Sequence, residues 1–308
     1  MSNGRTVAVL MGGTSNEREV SLVTGKSVIA ALKSRGFETR SIDYSGDVTA
    51  LVAALNPAPD IVFNAFHGRF GEDGCVQGLL ELLGLRYTHS GVMASALAMD
   101  KPMAKHLFAA AGIPCAEHVV AQREEILSRD VMERPYVIKP LNEGSSVGVR
   151  IVNETSGGPP LGNDDWPFGE QVMVERYIPG REITVAVMGD RSLAVTELRP
   201  RQGFYDYDAK YTDGMTDHLI PAPIPESQYK AALNHALAAH RALGCRGVSR
   251  ADFRYDDMTG EPGSLYLLEI NTQPGLTPLS LVPEQAAHVG IEFGELVAWM
   301  VENASCDS

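Results

Sequence analysis

The stretch from Tyr266 to Ser280 constrains the fold most, because an apolar strand pattern in it carries two polar side chains and then stops abruptly. Glu269 and Asn271 are two residues apart, so they project from the same face of a strand. Gln273-Pro274-Gly275 ends that strand, and a loop that can present hydroxyl and N–H groups follows. Two oxygen ligands on one rigid face suit a hard cation, so the stretch predicts a metal site. An ordinary buried strand ending in a turn is the alternative.

A second strand pattern, from Val248 to Arg254, supplies a partner for the first. Arg250, Asp252 and Arg254 alternate along it and share one face. A hairpin through residues 256–263 would pair it with residues 265–271 and set Asp252 beside Glu269 and Asn271. Three oxygen ligands on paired strands, completed by water and phosphate oxygens, predict a magnesium arrangement.

The N-terminal part alternates strand and helix patterns. Apolar strands at residues 7–11 and 61–66 each run into a glycine-containing turn and then a helix. This alternation predicts a parallel α/β unit, in which ligands bind at the carboxyl ends of the strands. Glu17 and His67 follow those ends and are candidate site residues. Both have a structural alternative, since Thr14 with Glu17 fits a capping box and a lone histidine in a loop is commonly structural.

The central part contains a candidate phosphate loop. A helix is predicted to start at Met99-Asp100-Lys101-Pro102, with Met103, Leu107 and Ala110 on its inner face. Strand, helix and strand patterns follow at residues 117–121, 124–132 and 136–139. Lys139 leaves the last strand, and the donor-rich glycine and serine loop up to residue 149 can fold over polyphosphate, with a plain hairpin turn as the alternative. Residues 153–169 are predicted to be an irregular connection.

The third part carries a candidate lid. Pro179-Gly180, flanked by Glu175 and Glu182, predicts a hinge, and strands at residues 182–188 and 193–198 predict a hairpin. The loop at about 200–223 contains four aromatic residues, which indicates a lid that closes over a ligand. A static surface loop is the alternative. A helix at residues 226–243 then leads into the hairpin that carries Asp252.

Composition narrows the class of protein. The chain has 308 residues, enough for two or three domains, with 44% hydrophobic and 21% charged residues, which is typical of a globular protein. A formal charge of −13 argues against nucleic acid or an anionic membrane as the main partner. The four cysteines are scattered without a Cys-x-x-Cys pair, and no apolar run fits a signal peptide or a membrane span, so we expect a cytoplasmic protein.

Taken in order, these motifs resemble the D-alanine:D-alanine ligases of the ATP-grasp superfamily. The resemblance covers almost all of residues 5–303, and the ordered set is specific although each motif alone is weak. The motifs are Gly12-Gly13-Thr14-Ser15-x-Glu17-Arg18-Glu19-Val20-Ser21, His67-Gly68-x-x-Gly71-Glu72-Asp73-Gly74, Met99-Asp100-Lys101, Glu143-Gly144-Ser145-Ser146-Val147-Gly148, Phe204-Tyr205-Asp206-Tyr207-x-Ala209-Lys210-Tyr211 and Glu269-x-Asn271-Thr272-x-Pro274-Gly275.

The resemblance implies an α/β (α+β) ATP-grasp fold of three domains, at residues 1–92, 93–179 and 180–308, with ATP between the last two. The ATP-binding positions would be Lys101, Lys139, Ser146, Glu175, Glu182 and Lys210. Two Mg²⁺ or Mn²⁺ ions would be held by Asp252, Glu269 and Asn271. A homodimer is also expected.

The resemblance assigns the substrate sites as well. Glu17 would hold the ammonium group of the first D-alanine and be linked through Ser145 to Tyr211, with His67 beside that substrate. Arg250 and the N–H of Gly275 would stabilise the oxyanion, and Ser280 would bind the carboxylate of the second D-alanine. The implied reaction forms an acylphosphate and ADP, then D-alanyl-D-alanine and phosphate, for peptidoglycan precursor synthesis.

Two other functions are compatible with the sequence. One is a ligase that joins D-alanine to D-lactate or D-serine, against which Tyr211 argues, and the other is a nucleotide-binding regulator without catalysis. Phe70 and the short, proline-rich segment 153–169 depart from the commoner family pattern, and they affect the expected local structure rather than a catalytic position.

Overall fold

The computed structural model describes residues 4–142, 144, 148–154, 166, 168–201, 214–278 and 280–307. The strands are β1 (Thr6–Gly12), β2 (Glu38–Tyr44), β3 (Ile61–Asn64), β4 (His118–Gln122), β5 (Tyr136–Pro140), β6 (Arg150–Val152), β7 (Gln171–Arg176), β8 (Arg181–Met188), β9 (Arg191–Pro200), β10 (Thr216–Leu219), β11 (Val248–Asp256) and β12 (Ser264–Asn271). The helices are α1 (Arg18–Ser34), α2 (Val48–Ala54), α3 (Cys75–Leu82), α4 (Val92–Met99), α5 (Lys101–Ala110), α6 (Arg123–Ser128), α7 (Glu226–Ala242), α8 (Leu281–His288) and α9 (Phe293–Glu302).

The first sheet is parallel, with strand order β2-β1-β3. Its central strand is buried on both faces: Val7 and Val9 enter one apolar cluster, and Ala8 and Leu10 enter another. That two-sided burial explains the continuous apolar run of β1. The predicted parallel α/β unit is confirmed.

The second and third sheets are antiparallel. The second has the order β4-β7-β5-β6, and Ile126 of α6 packs on its apolar face with Tyr136 and Ile138. The third has the order β10-β9-β8-β11-β12 and is covered by α7, whose Ala232, Ala236 and Ala239 lie one turn apart on the buried side.

One apolar cluster joins the two ends of the chain. Val9 and Phe63 of the first sheet pack in the same cluster as Met188 of the third sheet and Leu296 and Met300 of α9. The carboxyl ends of β1 and β3 are therefore held close to the third sheet, which contains the β11 and β12 hairpin.

Several local predictions were wrong. The inner face of α5 consists of Lys101, Ala104, Lys105 and Phe108, whereas Met103 is 49% exposed and Ala110 is exposed. Helix α6 ends at Ser128 rather than continuing to residue 132, and the predicted loop at 200–223 contains the edge strand β10. No helix in the described ranges is both long and apolar enough to cross a membrane.

The capping box at the start of α1 is also absent. The helix begins at Arg18 with Glu17 in the N-cap position, so Thr14 is not the cap and Glu17 is not the third helical residue. The side chain of Glu17 caps no N–H of this helix. The structural alternative for Glu17 therefore loses its basis.

Candidate active site

The hairpin of β11 and β12 places the predicted metal ligands opposite one another. Asp252 pairs with Glu269 and Arg250 pairs with Asn271, as the alternation of polar residues predicts. A bulge interrupts the ladder between Asp252 and Phe253, immediately after this polar segment. The hairpin therefore presents two carboxylates, one amide and one guanidinium at one end of the third sheet.

Asp252 is held rigidly by its neighbours. Its oxygens accept hydrogen bonds from Nε and Nη2 of Arg250, at 2.8 and 2.7 Å, and from Oγ1 of Thr184, at 2.7 Å. Thr184 is fully buried on β8, directly across from Asp252, so this hydrogen bond fixes the orientation of the carboxylate.

The donor set fits a hard divalent cation, because all three predicted ligands offer oxygen. Within the described residues, no three His, Cys, Asp or Glu side chains are placed to hold a metal. The two carboxylates of the hairpin would therefore need the amide oxygen of Asn271, together with water or phosphate oxygens, to complete a coordination sphere. Asn271 Oδ1 also accepts from the N–H of Gln273, at 2.8 Å, which orients it.

A buried charge cluster lies where α5 meets the second sheet. Glu175 is 4% exposed, and its two oxygens meet the ammonium groups of Lys139 and Lys105; the Lys105 Nζ to Oε2 distance is 3.0 Å. Burial alone raises the pKa of Glu175, but attraction to Lys139 and Lys105 outweighs it and lowers the pKa to about 2. The site thus holds two positive charges against one negative charge, an environment suited to an anionic ligand.

Lys105 is the member of this cluster that the sequence did not reveal. It is 1% exposed, and it meets Glu175 at ion-pair distance without the geometry of a hydrogen bond. Lys101, one turn earlier on the same inner face of α5, is 7% exposed. The spacing of four residues between Lys101 and Lys105 indicates that both lie on one face of the helix. The sequence was instead interpreted as giving α5 an apolar inner face.

The loop after β3 forms a second polar cluster with the start of α1. His67 is 5% exposed; its Nε2 lies 3.1 Å from Thr24 Oγ1 and its Nδ1 lies 3.4 Å from Glu72 Oε1. Burial raises the pKa of Glu72, and the nearby charge of Glu17 adds to this, although contact with His67 opposes it. The predicted neighbours Glu17 and His67 therefore belong to one site.

Gly68 lets the chain pass close to Glu17. Its φ is +70°, and a Cβ there would lie 2.8 Å from Glu17 Oε2 and 2.9 Å from the Ser15 side chain. Ser15 Oγ also donates to the carbonyl of His67 at 2.7 Å, which ties the two turns together. A Cβ on Gly144 would lie 4.0 Å from the same Glu17 oxygen, so the glycine and serine loop reaches this site.

The loop after β12 brings together the residues predicted for the second substrate. Ser280 Oγ accepts from the N–H of Thr277 at 2.9 Å, and a Cβ on Gly275 would meet that hydroxyl at 2.9 Å. Gly275 and Ser280 are therefore adjacent, and both lie within ten residues of Asn271 in a tight loop.

Glu182 lies at the start of β8, opposite Arg254 of β11 and two residues before Thr184. It pairs with Arg254, whose Nη1 is 3.3 Å from Glu182 Oε1, and Arg254 also donates to the carbonyls of Ile178 and Gly180. The predicted hinge is thus fastened to β11 by this arginine.

Phe70, a departure from the expected pattern, has a φ of +67° and its ring is half exposed beneath Arg69.

Four predicted site residues lie outside the described residues: Ser145, Ser146, Lys210 and Tyr211. The aromatic segment predicted to be a lid, Phe204 to Thr212, lies outside them as well.

Comparison with known proteins gives one consistent result. The sequence pattern described as D-ala D-ala ligase C-terminus matches residues 107–302, and that of the D-ala D-ala ligase N-terminus matches residues 48–90. A D-alanine–D-alanine ligase from Granulibacter bethesdensis is 56% identical over 302 residues, covering 98% of each chain. One from Rhodospirillum rubrum is 55% identical over 305 residues, covering 99% of each chain.

A solved structure agrees with these sequences. The D-alanine–D-alanine ligase from Bacillus anthracis, complexed with ATP, superposes with a TM-score of 0.79 at 30% identity, covering 98% of this chain and 97% of that one. The mixed architecture of one parallel and two antiparallel sheets is thus the ATP-grasp fold that the motifs predicted. The chain belongs to the D-alanine–D-alanine ligase family.

Proposed function

We propose that this protein joins two D-alanine molecules to D-alanyl-D-alanine in an ATP-dependent reaction, releasing ADP and phosphate. Its full-length relatives carry the name of this ligase, and its structural neighbour was solved with ATP. The observation that carries the proposal is the register of β11 and β12, which aligns Asp252 with Glu269 and Arg250 with Asn271. A nucleotide-binding regulator without catalysis would not need this complete set.

The first D-alanine binds at the cluster that contains Glu17 and His67. The Glu17 carboxylate pairs with the substrate ammonium group, close to Gly68, where a Cβ would lie 2.8 Å from Glu17 Oε2. Ser145 and Tyr211 extend this contact, and His67 lies beside the substrate, held by Thr24 and Glu72. The bound carboxylate is then directed toward the nucleotide.

ATP binds beside the charge cluster of α5 and the second sheet. Lys101 and Lys139 contact its phosphates and Glu182 contacts its ribose, and Ser146, Glu175 and Lys210 complete the contacts. The excess positive charge around Glu175 supports the phosphate assignment. The chain works as three units, residues 1–92, 93–179 and 180–308, with the nucleotide between the last two.

Asp252, Glu269 and Asn271 would hold two Mg²⁺ or Mn²⁺ ions, and such ions would supply positive charge against the charge that develops on the transferred phosphoryl group. Arg250 orients Asp252 through two hydrogen bonds, so the ligand set is fixed before substrate arrives. Lys210 adds a further positive charge on the same phosphoryl group.

In the first half-reaction, a carboxylate oxygen of the first D-alanine attacks the γ-phosphorus, and ADP leaves. In the second, the amine of the second D-alanine attacks the acyl carbon of the acylphosphate. Arg250 and the N–H of Gly275 stabilise the oxyanion, and Ser280 holds the second carboxylate. The C–O bond then breaks, and phosphate departs with the former carboxylate oxygen.

We also propose the cellular process, the oligomeric state and the partners of this enzyme. The product serves peptidoglycan precursor synthesis in the cytoplasm, the enzyme acts as a homodimer, and neither nucleic acid nor membrane is a partner. The acidic balance of the chain, −13 formal charges, supports the last point.

ADP release measured with D-alanine alone, and with D-lactate or D-serine added, tests the proposal. We expect ADP and D-alanyl-D-alanine to form in equal amounts with D-alanine alone. No D-alanine-dependent ADP release would reject the ligase, and a preference for D-lactate near neutral pH would reject the assigned acceptor.

A further inference from the structure

Gln273 links the two halves of the candidate site through its side chain. It is 1% exposed, and its amide oxygen accepts from Asn64 Nδ2 at 2.8 Å while its amide nitrogen donates to the carbonyl of Phe66. These partners are more than two hundred residues away in sequence. One amide therefore joins the loop after β12 to the loop after β3.

The first end of this link organises the loop that carries His67. Asn64 donates a second hydrogen bond to the carbonyl of Gly71, at 3.0 Å, and its Oδ1 accepts from the N–H of Phe66, at 3.1 Å. Asn64 thus closes the loop from Phe66 to Gly71 upon itself. Gln273 hydrogen-bonds to the Asn64 side chain and to the Phe66 carbonyl of this loop.

The second end is fastened to the metal-bearing hairpin. The N–H of Gln273 donates to Asn271 Oδ1 at 2.8 Å, so the backbone of Gln273 and the side chain of Asn271 move as one. A continuous path of hydrogen bonds therefore runs from Asn271, through Gln273 and Asn64, to the residues on both sides of His67 and Gly68.

The Gln273 side chain both accepts and donates a hydrogen bond at this position, which an apolar side chain cannot do. An apolar residue at position 273 would leave the Phe66 carbonyl and one Asn64 N–H buried without a hydrogen-bond partner, which is destabilising. Reaction further requires the attacking oxygen to be about 3–3.5 Å from phosphorus, and a displacement of about 1 Å can cost a hundredfold in rate. The relative placement of the two loops is therefore critical for the chemistry.

We propose that Gln273 is a positioning residue that fixes the first D-alanine site at a set distance from the metal and phosphoryl site. The inference rests on the proposed function and adds a residue that contacts neither substrate nor metal. It predicts a selective effect on the first D-alanine, because its side chain bonds only to the loop on that side.

The test compares Gln273→Met, which keeps length and volume, with Ile126→Ala. Ile126 is fully buried against the second sheet, and its truncation lowers stability without touching either loop. In Gln273→Met, we expect kcat to fall at least about tenfold, because the two loops are no longer held at the reacting distance. The KM of the first D-alanine should rise at least about tenfold, with the KM of ATP changing less than about twofold. Ile126→Ala should lower Tm and leave both KM values unchanged.

Gln273→Glu provides a second variant in case the first folds poorly. It keeps the acceptor for Asn64 but sets an oxygen against the Phe66 carbonyl, so the same selective rise in KM is expected. An unchanged KM for the first D-alanine in a folded Gln273 variant would overturn the proposal. A parallel rise in the KM values of D-alanine and ATP would overturn it as well.

Amide hydrogen exchange separates this inference from the proposed activity. The N–H groups of Gly68, Gly71 and Glu72 are hydrogen-bonded inside the His67 loop. They should exchange at least about tenfold faster in Gln273→Met than in Ile126→Ala, whether or not the protein ligates D-alanine. Equal exchange in the two variants would overturn the link, whereas a wild-type protein without D-alanine-dependent ADP release would reject the activity and leave this comparison valid.

Discussion

Lys105 is a buried lysine in a three-residue cluster that holds two positive charges against one negative charge. Glu175 is shared between it and Lys139, and Lys139 is itself only 7% exposed. Removing one member of a buried ion pair leaves the others poorly compensated, which commonly costs several kcal/mol. The role of Lys105 can therefore be measured through stability as well as through nucleotide binding.

We expect Lys105→Met to lower the free energy of unfolding by up to about 3 kcal/mol, since Lys139 remains to pair with Glu175. The control Lys230→Met removes an exposed lysine that pairs with Glu226 on α7, and it should cost less than about 1 kcal/mol. Urea unfolding at neutral pH measures both. An equal loss of unfolding free energy in the two variants would show that the buried lysine stabilises the fold no more than an exposed one.

The same cluster predicts the pH dependence of stability. The pKa of Glu175 is lowered from 4.5 to about 2 in the folded protein, so its contribution is complete above 4.5 and is lost as the pH falls from 4.5 toward 2. Without Lys105 the pKa is lowered less, so Lys105→Met should lose this contribution at a higher pH than the wild type. Unfolding at a series of acidic pH values would contradict this if both proteins lost stability over the same range.

Glu17→Gln tests whether Glu17 binds substrate or only supports α1. We expect the KM of the first D-alanine to rise at least about tenfold with little change in Tm, because a charged contact to the substrate is lost. Glu19→Gln is the matched control, since Glu19 is exposed in the first turn of the same helix. A loss of Tm in Glu17→Gln without a change in KM would assign Glu17 to the helix.

At the scale of elements, the β11 and β12 hairpin shows what a sequence can predict. The period of two along both strands predicted Asp252 beside Glu269 and Asn271, and the structure pairs Asp252 with Glu269 and Arg250 with Asn271. Strand β10 was missed because Thr216–Leu219 is a short, mostly polar edge strand, partly exposed, that pairs with β9 alone. An edge strand buries too little apolar surface to leave a clear pattern.

Glu269→Gln tests the metal assignment of this hairpin. We expect kcat to fall at least about a hundredfold, because loss of charge stabilisation at a transferring phosphoryl group commonly costs that much. Turnover is measured at saturating magnesium and D-alanine. A kcat near that of the wild type would show that Glu269 is not a metal ligand.

Thr184→Val tests the support that β8 gives to Asp252. The change removes the 2.7 Å hydrogen bond to Asp252 but keeps the shape of the side chain, so we expect about ten times more magnesium to be needed for half-maximal rate. Thr196→Val is the matched control, because Thr196 is equally buried opposite Thr184 but bonds to Gln285. An equal magnesium requirement in the two variants would contradict the role of Thr184.

At the scale of the whole molecule, the sequence predicts the individual sheets better than it predicts how the sheets pack together. Apolar positions such as Val9 and Met300 predict burial, but they do not say that the first strand and the last helix share one cluster. The same limit explains why Lys105 and Gln273 were missed as site residues: their partners lie in distant segments. The order of the motifs identified the family, whereas the contacts of Lys105 and Gln273 depend on how distant segments pack.

The shared core and the Gln273 link connect the loop that carries His67 to the β11 and β12 hairpin, and in the proposed mechanism one site couples both half-reactions. In that account, ATP activates the carboxylate of the first D-alanine, and the phosphate released afterwards carries one of its oxygens. Activation without transfer of that oxygen would need a different chemistry.

The most direct test uses D-alanine labelled with ¹⁸O in its carboxylate. We predict that, for each D-alanyl-D-alanine formed, the inorganic phosphate contains one ¹⁸O atom, detected by mass spectrometry. Phosphate free of the label, with dipeptide formed in the same sample, would contradict an acylphosphate and with it the central claim.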